Sequence, residues 1–432
     1  MRILKQEHYF PIVVGIHLIF WAVDIYNYQG PFTEIDSHTV LFGPIENTSG
    51  QNAHRIIGEI FSSWVVTVFA FNFLMASRLS WVERLFGGLD KMYLIHRRSG
   101  VIAVVLLIAH ALVVPRDLTS VGIGQPLGII AINLILIGVI ISAAPFFKRK
   151  IPYHKWVNIH KLMGVFYVIG IVHAFNVHSL IQELPIVRVY VFGMALIGIT
   201  AWFYRAFLFG LFNKKLPYEV VEVVEKSDSI MEVTLKQLDN RLHYLAGQFA
   251  FFTFPKVNTR EQHPFTISSH PYHDHLRITV KNLGDYTSEF SKLEVGDKAS
   301  VEGPYGHFSS AYIKEREQIW IAGGIGITPF LSLGHDVYTS DVMLYWCVND
   351  EQEAVYRNEL DQIKAINPKF DYKIWVSKAE GHLSLEKMKL ENYLNKGYLI
   401  CGPNALKGSL IKQLKKEGVK DAHIYDEEFA FR

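Results

Sequence analysis

Cysteine is nearly absent from this chain: Cys347 and Cys401 are the only two in 432 residues. A small secreted domain held by a disulfide framework is therefore excluded. Charge is scarce as well. Only 19% of the residues are Asp, Glu, Lys or Arg, and 43 basic side chains against 41 acidic ones leave a net charge of +2, so there is no electrostatic footprint for nucleic acid. No internal repeat, low-complexity tract or EF-hand loop occurs, and calcium regulation within this chain is not expected. The stretch from Tyr26 to His54 lacks Lys and Arg altogether while holding Glu34, Asp36 and Glu46.

Hydrophobic residues make up half of the sequence and concentrate before residue 212. Six stretches approach or reach spanning length, at about 11 to 26, 56 to 77, 93 to 114, 127 to 147, 157 to 178 and 187 to 210, against a need of about 20 residues per span. Six transmembrane helices are predicted, in a multi-pass protein of the cell membrane surrounded by lipid. The first follows Arg2 and Lys5 with no small-residue cleavage site, and is read as a retained anchor that carries His17 and Asp24. Lys91, Arg97 and Arg98 flank the third helix, and Lys148, Arg149, Lys150, Lys155 and Lys161 lie between the fourth and fifth. These connections, and with them both termini, are expected in the cytoplasm.

Two of the helices carry paired histidines: His96 and His110 fourteen residues apart, then His160 and His173 thirteen apart. Imidazole is an axial ligand for haem iron, and two helices offering one histidine per level can clamp a macrocycle from both sides. At about 1.5 Å per residue the levels lie roughly 20 Å apart. This predicts two b-type haems, an inner one on His96 and His160 and an outer one on His110 and His173. Fourteen residues return a side chain to within about 40° of its starting direction, but thirteen leave it about 140° away on a straight helix. The fifth helix must then bend, or its haems must be offset, and Gly164 and Gly170 lie where a deformation is permitted.

From Pro217 the pattern changes to short alternating strands such as Tyr218 to Val224 and Met231 to Leu235, which predicts an antiparallel β-barrel. It contains HPFTISS (263–269) and KNLGDYT (281–287). Backbone amides and the hydroxyls of Thr266, Ser268 and Ser269 suit an isoalloxazine edge and a diphosphate, with Lys281 supplying positive charge. After GPYG (303–306), the apolar run Ile319 to Ala322 enters GGIGITP (323–329), where strand, glycine turn and helix start can present amides to a pyrophosphate. Strands at Val342 to Trp346 and Tyr372 to Val376 continue an α/β pattern, and LICGPN (399–404) ends where a nicotinamide ring can be met. The fold class is thus a multi-domain membrane protein: a six-helix haem bundle (1–213), an antiparallel β-barrel FAD domain (214–312) and an α/β nucleotide-binding domain (313–432).

The four histidines followed in order by HPFTISS, GDYT, GPYG, GGIGITP and CGPN resemble the ferric reductase and NADPH oxidase superfamily along nearly the whole chain. The resemblance implies that NAD(P)H reduces FAD and that single electrons then cross the membrane through the two haems. It assigns FAD binding to His263, Pro264, Phe265, Thr266, Ser268, Ser269, Lys281, Gly284, Asp285, Tyr286 and Thr287. It assigns the nucleotide to Gly323, Gly324, Gly326, Thr328, Pro329, Cys401, Gly402 and Pro403, with Cys401 near the reacting ring. The family's terminal aromatic, which stacks on the flavin, is Phe429 or Phe431 here.

Three positions depart from or half-match the family pattern. Asn349 stands where NADPH-selective relatives carry an arginine, and Asp350 and Glu351 follow it, so NADH use is expected. Val114 stands where the superoxide-forming members carry a further histidine. Arg55 matches an arginine near the outer haem, or equally an interfacial side chain that snorkels. The expected activity is an NAD(P)H oxidase or ferric reductase-like flavocytochrome whose outer acceptor is oxygen or a ferric chelate. The alternative is an electron-transfer component that reduces a partner protein or quinone at the outer face.

Overall fold

The computed structural model describes residues 6–28, 38–40, 43–44, 48–114, 116–117, 122–258, 261–337 and 340–427. Two compact units divide the chain, Met1–Phe212 and Asn213–Arg432.

The first unit is helical: α1 Gln6–Asn27, α2 Thr48–Ala76, α3 Leu89–Val113, α4 Gly124–Ala143, α5 Tyr153–Lys161, α6 Met163–Phe175 and α7 Pro185–Phe203. Among the described residues, five stretches are long and apolar enough to cross a bilayer: Ala53–Ala76, Leu89–Val113, Gly124–Ala143, His154–Phe175 and Pro185–Phe212. Helix α1 covers the first expected span, and its described side chains form an apolar stretch over Ile12–Asn27. Its interior is also polar, because Asp24 accepts the Val187 backbone N–H at 2.7 Å and so holds α1 to the start of α7. Helix α3 packs along α2, α6 along α4, and α7 along α2. A small antiparallel sheet joins 38–40, 43–44 and 116–117, so the first connection and the one after α3 share an end of the bundle.

Burial in this unit is inverted relative to a water-soluble protein. His17, Asp24, Arg55, Glu59, Ser63, Thr67 and Asn72 are buried, whereas Val101, Val105, Val189 and Leu196 are each at least 60% exposed. Lipid explains the inversion: apolar side chains lose nothing by facing hydrocarbon, and polar groups must find partners inside.

The fifth span is interrupted at Leu162, between α5 and α6. There Leu162 N–H bonds to Ile159 O at 3.0 Å, a turn tighter than α. The Lys161 carbonyl beside this break is satisfied by Trp202 Nε1–H of α7 at 2.8 Å. Gly164 is needed for that approach, since a Cβ there would lie 2.2 Å from the Trp202 ring.

The second unit has two sheets. Strands β1 Leu216–Ser227, β2 Ile230–Gln237, β3 Phe249–Thr253, β4 His263–Thr266, β5 Leu276–Lys281 and β6 Lys298–Tyr305 form an antiparallel sheet of order β4-β3-β6-β1-β2-β5. An isolated bridge between Ile267 and Ile278 ties its two edges, so the sheet curls on itself. Strands β7 Glu317–Gly323, β8 Asp341–Val348, β9 Phe370–Val376, β10 Gly397–Cys401 and β11 Ile424–Asp426 form a parallel sheet of order β9-β8-β7-β10-β11. Every residue of β10 is buried, as a strand covered on both faces requires. The chain order reverses between β7 and β10. In open parallel sheets that reversal opens a crevice at the carboxyl ends of the strands, and ligands bind there.

Candidate functional site

In the first unit all four histidines are anchored through Nδ1. His96 donates to the Asn72 carbonyl at 3.2 Å, His110 to the Gly58 carbonyl at 2.8 Å and His173 to the Gly124 carbonyl at 2.8 Å. A carbonyl only accepts, so each of these rings carries its proton on Nδ1. His160 Nδ1 lies 2.9 Å from Ser142 Oγ, whose own proton goes to the Gly138 carbonyl at 2.6 Å, so Ser142 accepts and the same tautomer follows. Nε2 is then the basic nitrogen of every ring, the arrangement seen where a second partner orients a metal-binding histidine. The anchors obey the same spacing as the ligands, for Gly58 and Asn72 are themselves fourteen residues apart on α2.

The His96 and His160 rings lie 6.0 Å apart between centroids, with planes at 75°. That separation leaves room for one metal atom with a nitrogen at about 2 Å on each side. Trp156 stacks on His160 at 5.2 Å and 6°. Among the described residues no three His, Cys, Asp or Glu side chains converge on one point, so the donor set at His96 and His160 is an imidazole pair, which fits a haem iron whose other four ligands come from the macrocycle.

Arg55 is 5% exposed, and Nε bonds Glu59 at 3.2 Å while Nη2 lies 3.9 Å from Glu183. Interfacial snorkelling therefore does not describe it. Its Nη1 and Nη2 make no hydrogen bond among the described residues, and it sits one turn before Gly58, the anchor of His110. Glu59 also accepts the Ile181 N–H at 3.0 Å. Neither Glu59 nor Glu183 was singled out by the sequence; an acidic residue inside an apolar run was the available signal.

In the second unit, β4 carries HPFT on the sheet edge, where Pro264 costs no inner ladder bond. His263 stacks on Tyr286 of GDYT at 3.7 Å and 20°, so the two expected FAD motifs meet. Tyr286 faces inward, its hydroxyl accepting the Phe254 N–H at 3.3 Å, and burial pushes that hydroxyl up to about 12. Thr266 is 4% exposed, and its hydroxyl has no hydrogen-bond partner among the described residues. A buried orphan hydroxyl costs free energy unless a ligand completes it, which fits a flavin edge. Ser268 and Ser269 differ from that expectation. Arg277 Nε donates to Ser268 Oγ at 3.1 Å, and Ser269 Oγ lies 2.9 Å from the Tyr244 hydroxyl and accepts the Arg277 N–H at 3.0 Å, so these hydroxyls serve the protein's own frame. Thr287 Oγ1 accepts the Leu283 and Gly284 N–H groups at 2.9 and 3.1 Å, closing the GDYT turn that Asp285 opens, while Lys281 ends β5.

The nucleotide motifs, far apart in sequence, come together at the β7/β10 crevice. Gly326 lies so close to the end of β10 that a Cβ there would be 2.3 Å from the Cys401 carbonyl, and a Cβ on Gly323 would be 2.8 Å from Pro403. Gly324 adopts φ +54, and its carbonyl is held by Trp346 Nε1–H at 2.9 Å. Thr328 and Pro329 open helix α8 Thr328–Leu333, which is only six residues long, so glycine amides rather than a macrodipole are left to meet phosphate. Cys401 is wholly buried, and burial holds its thiol far above the ordinary range, with the Glu427 charge adding to this. The expectation of a reacting Cys401 finds no exposed thiol to act through.

Asn349 follows β8, and the acidic corner beside it is partly neutralised. Lys378 pairs with Asp350 at 3.0 Å and Arg357 with Glu351 at 2.6 Å. Sequence reasoning also missed the join between the two sheets. Arg277 makes two bonds to Glu359 at 3.0 and 2.6 Å, and the buried Tyr356 hydroxyl lies 2.7 Å from Thr279 and 2.8 Å from Glu232. Phe429 and Phe431 lie outside the described residues.

Residues 61–171 match the family described as ferric reductase like transmembrane component, 215–309 a FAD-binding domain and 320–409 an oxidoreductase NAD-binding domain. The chain is 30% identical to a component of the Na(+)-translocating NADH-quinone reductase of Haemophilus influenzae, over 34% of this chain and 40% of that protein. It is 27% identical to a superoxide-generating NADPH oxidase heavy chain of Dictyostelium discoideum, over 44% of this chain and 38% of that one. The chain thus spans about two-fifths of the length of these relatives. A solved flavohemoglobin from Malassezia yamatoensis shares a likeness of fold alone, at 15% identity and a TM-score of 0.51 over 89% of this chain and 99% of that one.

Proposed function

We propose that this chain, a member of the ferric reductase and NADPH oxidase superfamily, is a transmembrane oxidoreductase that takes electrons from cytoplasmic NAD(P)H and delivers them to oxygen or a ferric chelate outside. Bound FAD would accept a hydride and part with single electrons, which two b-type haems would relay across the bilayer. The observation that carries the reading is the common tautomer of the four histidines. Each Nδ1 proton is committed to a carbonyl or to Ser142, so each Nε2 can bind iron without first losing a proton.

The residues then divide the work. His96 with His160, and His110 with His173, hold the inner and outer haem. His263, Thr266 and the turn from Lys281 to Thr287 would hold FAD, with the buried Thr266 hydroxyl available to hydrogen-bond it. The backbone of Gly323 to Pro329 and Cys401 to Pro403 holds the nucleotide. Arg55, whose Nη1 has no hydrogen-bond partner among the described residues, would steady an acceptor that becomes an anion beside the outer haem. The lysine- and arginine-rich connections support a cytoplasmic dehydrogenase unit, and the Lys- and Arg-free stretch before α2 supports the opposite end as the outer face.

One observation favours a second reading. Val114 packs close to Gly58 where the superoxide-forming relatives have a histidine, so the outer site lacks one imidazole that oxygen chemistry would use there. On that reading the chain relays electrons to a partner protein or quinone.

Stopped-flow spectra of the purified, cofactor-loaded protein test both. NADH or NADPH without oxygen should bleach the flavin and then reduce the haems, and failure to reduce either would end the proposal. Admission of oxygen or a ferric chelate should reoxidise the haems at once in a terminal reductase; a relay stays reduced.

A further inference from the structure

Lys407 is the one buried lysine among the described residues, at 3% exposure. It lies one turn into helix α9 Asn404–Lys416, which begins directly after Cys401, Gly402 and Pro403. An ammonium inside a protein is costly, and a surface-docked strand end does not need one. Here its Nζ donates to the Glu427 backbone carbonyl at 2.6 Å and stands 3.7 Å from the Asp426 carboxylate. The parallel register pairs Ile400 with Asp426, so Glu427 is level with Cys401 at the crevice end of the sheet. Glu427 is also where this sheet meets the curled one: its carboxylate comes within 3.4 Å of the position a Cβ would take on Gly306, in the GPYG turn that ends β6. Gly306 in turn accepts a bond from Gln248 at 2.9 Å.

We propose that Lys407, through the Glu427 carbonyl, is a positioning residue: it forms a strut that sets the spacing between the nucleotide crevice and the flavin-bearing sheet. The inference rests on the function proposed above. Hydride transfer needs its two rings in near contact, and a misplacement of about 1 Å is enough to cost on the order of a hundredfold in rate. Lys407 touches neither ring. It keeps the strand end from drifting away from the GPYG turn.

The test is anaerobic flavin reduction in the full-length, cofactor-loaded protein, resolving the nucleotide dissociation constant from the limiting rate. Lys407→Met should lower the limiting rate at least tenfold while nucleotide affinity, FAD content and dithionite-reduced haem spectra stay within about twofold of wild type. Lys407→Gln keeps a donor for the Glu427 carbonyl and should recover part of the rate. Asp426→Asn, which spares that carbonyl bond, should behave as wild type. An unchanged limiting rate in Lys407→Met overturns the strut, and so does loss of FAD in both Lys407 variants, which would mark the residue as a folding requirement only. Wild-type protein that neither nucleotide reduces would instead defeat the functional reading, a result distinct from either.

Discussion

In the helical unit, each candidate ligand is a side chain whose second nitrogen is tied to a neighbouring helix. In the second unit, the candidate nucleotide site is mostly main chain, held by side chains that bond to backbone carbonyls. Trp346 pinning the Gly324 carbonyl and Lys407 pinning the Glu427 carbonyl are two such cases. The contrast follows from the surroundings. In lipid a polar side chain is so costly that it is kept only with a partner or a task, so ligands stand out individually. In water polar residues are cheap, so a site can be assembled from amides that any sequence supplies, provided the topology converges on them.

Breaking the helical side of that contrast should give the largest effect. His110→Ala or His173→Ala is expected to halve the haem content and abolish reduction of the external acceptor, while flavin reduction by nucleotide proceeds at its normal rate. Haem quantitation with stopped-flow flavin absorbance checks this; a variant that keeps both haems would refute the pairing.

In the second unit, the join between the sheets should yield next. Glu359→Ala leaves the largely buried Arg277 guanidinium without its bidentate partner, at a cost of about 3 kcal/mol. The temperature at which FAD fluorescence appears should fall by several degrees, with the haem bands unmoved. A haem-domain shift of equal size would show the two units to be less independent than their sequences suggest.

Thr266→Ala sharpens the comparison because it removes a buried hydroxyl of the expected flavin site that has no hydrogen-bond partner among the described residues. FAD retention should weaken by about 1 kcal/mol, read as an increased dissociation constant with no change in the haem spectrum. Loss of haem alone would contradict the assignment.

The smallest effect concerns the nucleotide. Lys378 on Asp350 and Arg357 on Glu351 soften the negative corner beside Asn349, so NADH should be favoured by only a few-fold, and Asn349→Arg should move the ratio toward NADPH. A strong wild-type preference for NADPH, in steady-state rates at equal concentrations, would show that Asn349 does not govern the choice.

The four histidines stood out as candidate ligands because spacing and environment both marked them. The thirteen-residue interval called for offset haems or for a bend in the fifth span. Its place, at Leu162 and braced by Trp202, was not legible, since it depends on a side chain of another helix. The polar interior of the first span was legible in His17 and Asp24, though the partner that makes Asp24 tolerable, the Val187 amide, was not. HPFTISS was readable as a motif but not residue by residue. Thr266 stays unpaired while Ser268 and Ser269 are consumed by Arg277 and Tyr244, a distinction set by which way each side chain points from the edge of a curled sheet.

The sequence alone determined what is local and periodic: which stretches are apolar enough for lipid, the histidine ladder, the alternation that makes strands, and the glycine turns that leave amides bare. Tertiary structure alone decided the tautomer of each histidine, the depth of Arg55, the burial of Cys401, and the meeting of residues 323–329 with 401–404. Those properties belong to pairs of groups distant along the chain. A hydrogen bond from His110 to Gly58, or a close approach of Gly326 to Cys401, exists only once helices and strands have chosen their neighbours, and no residue's own chemistry encodes that choice.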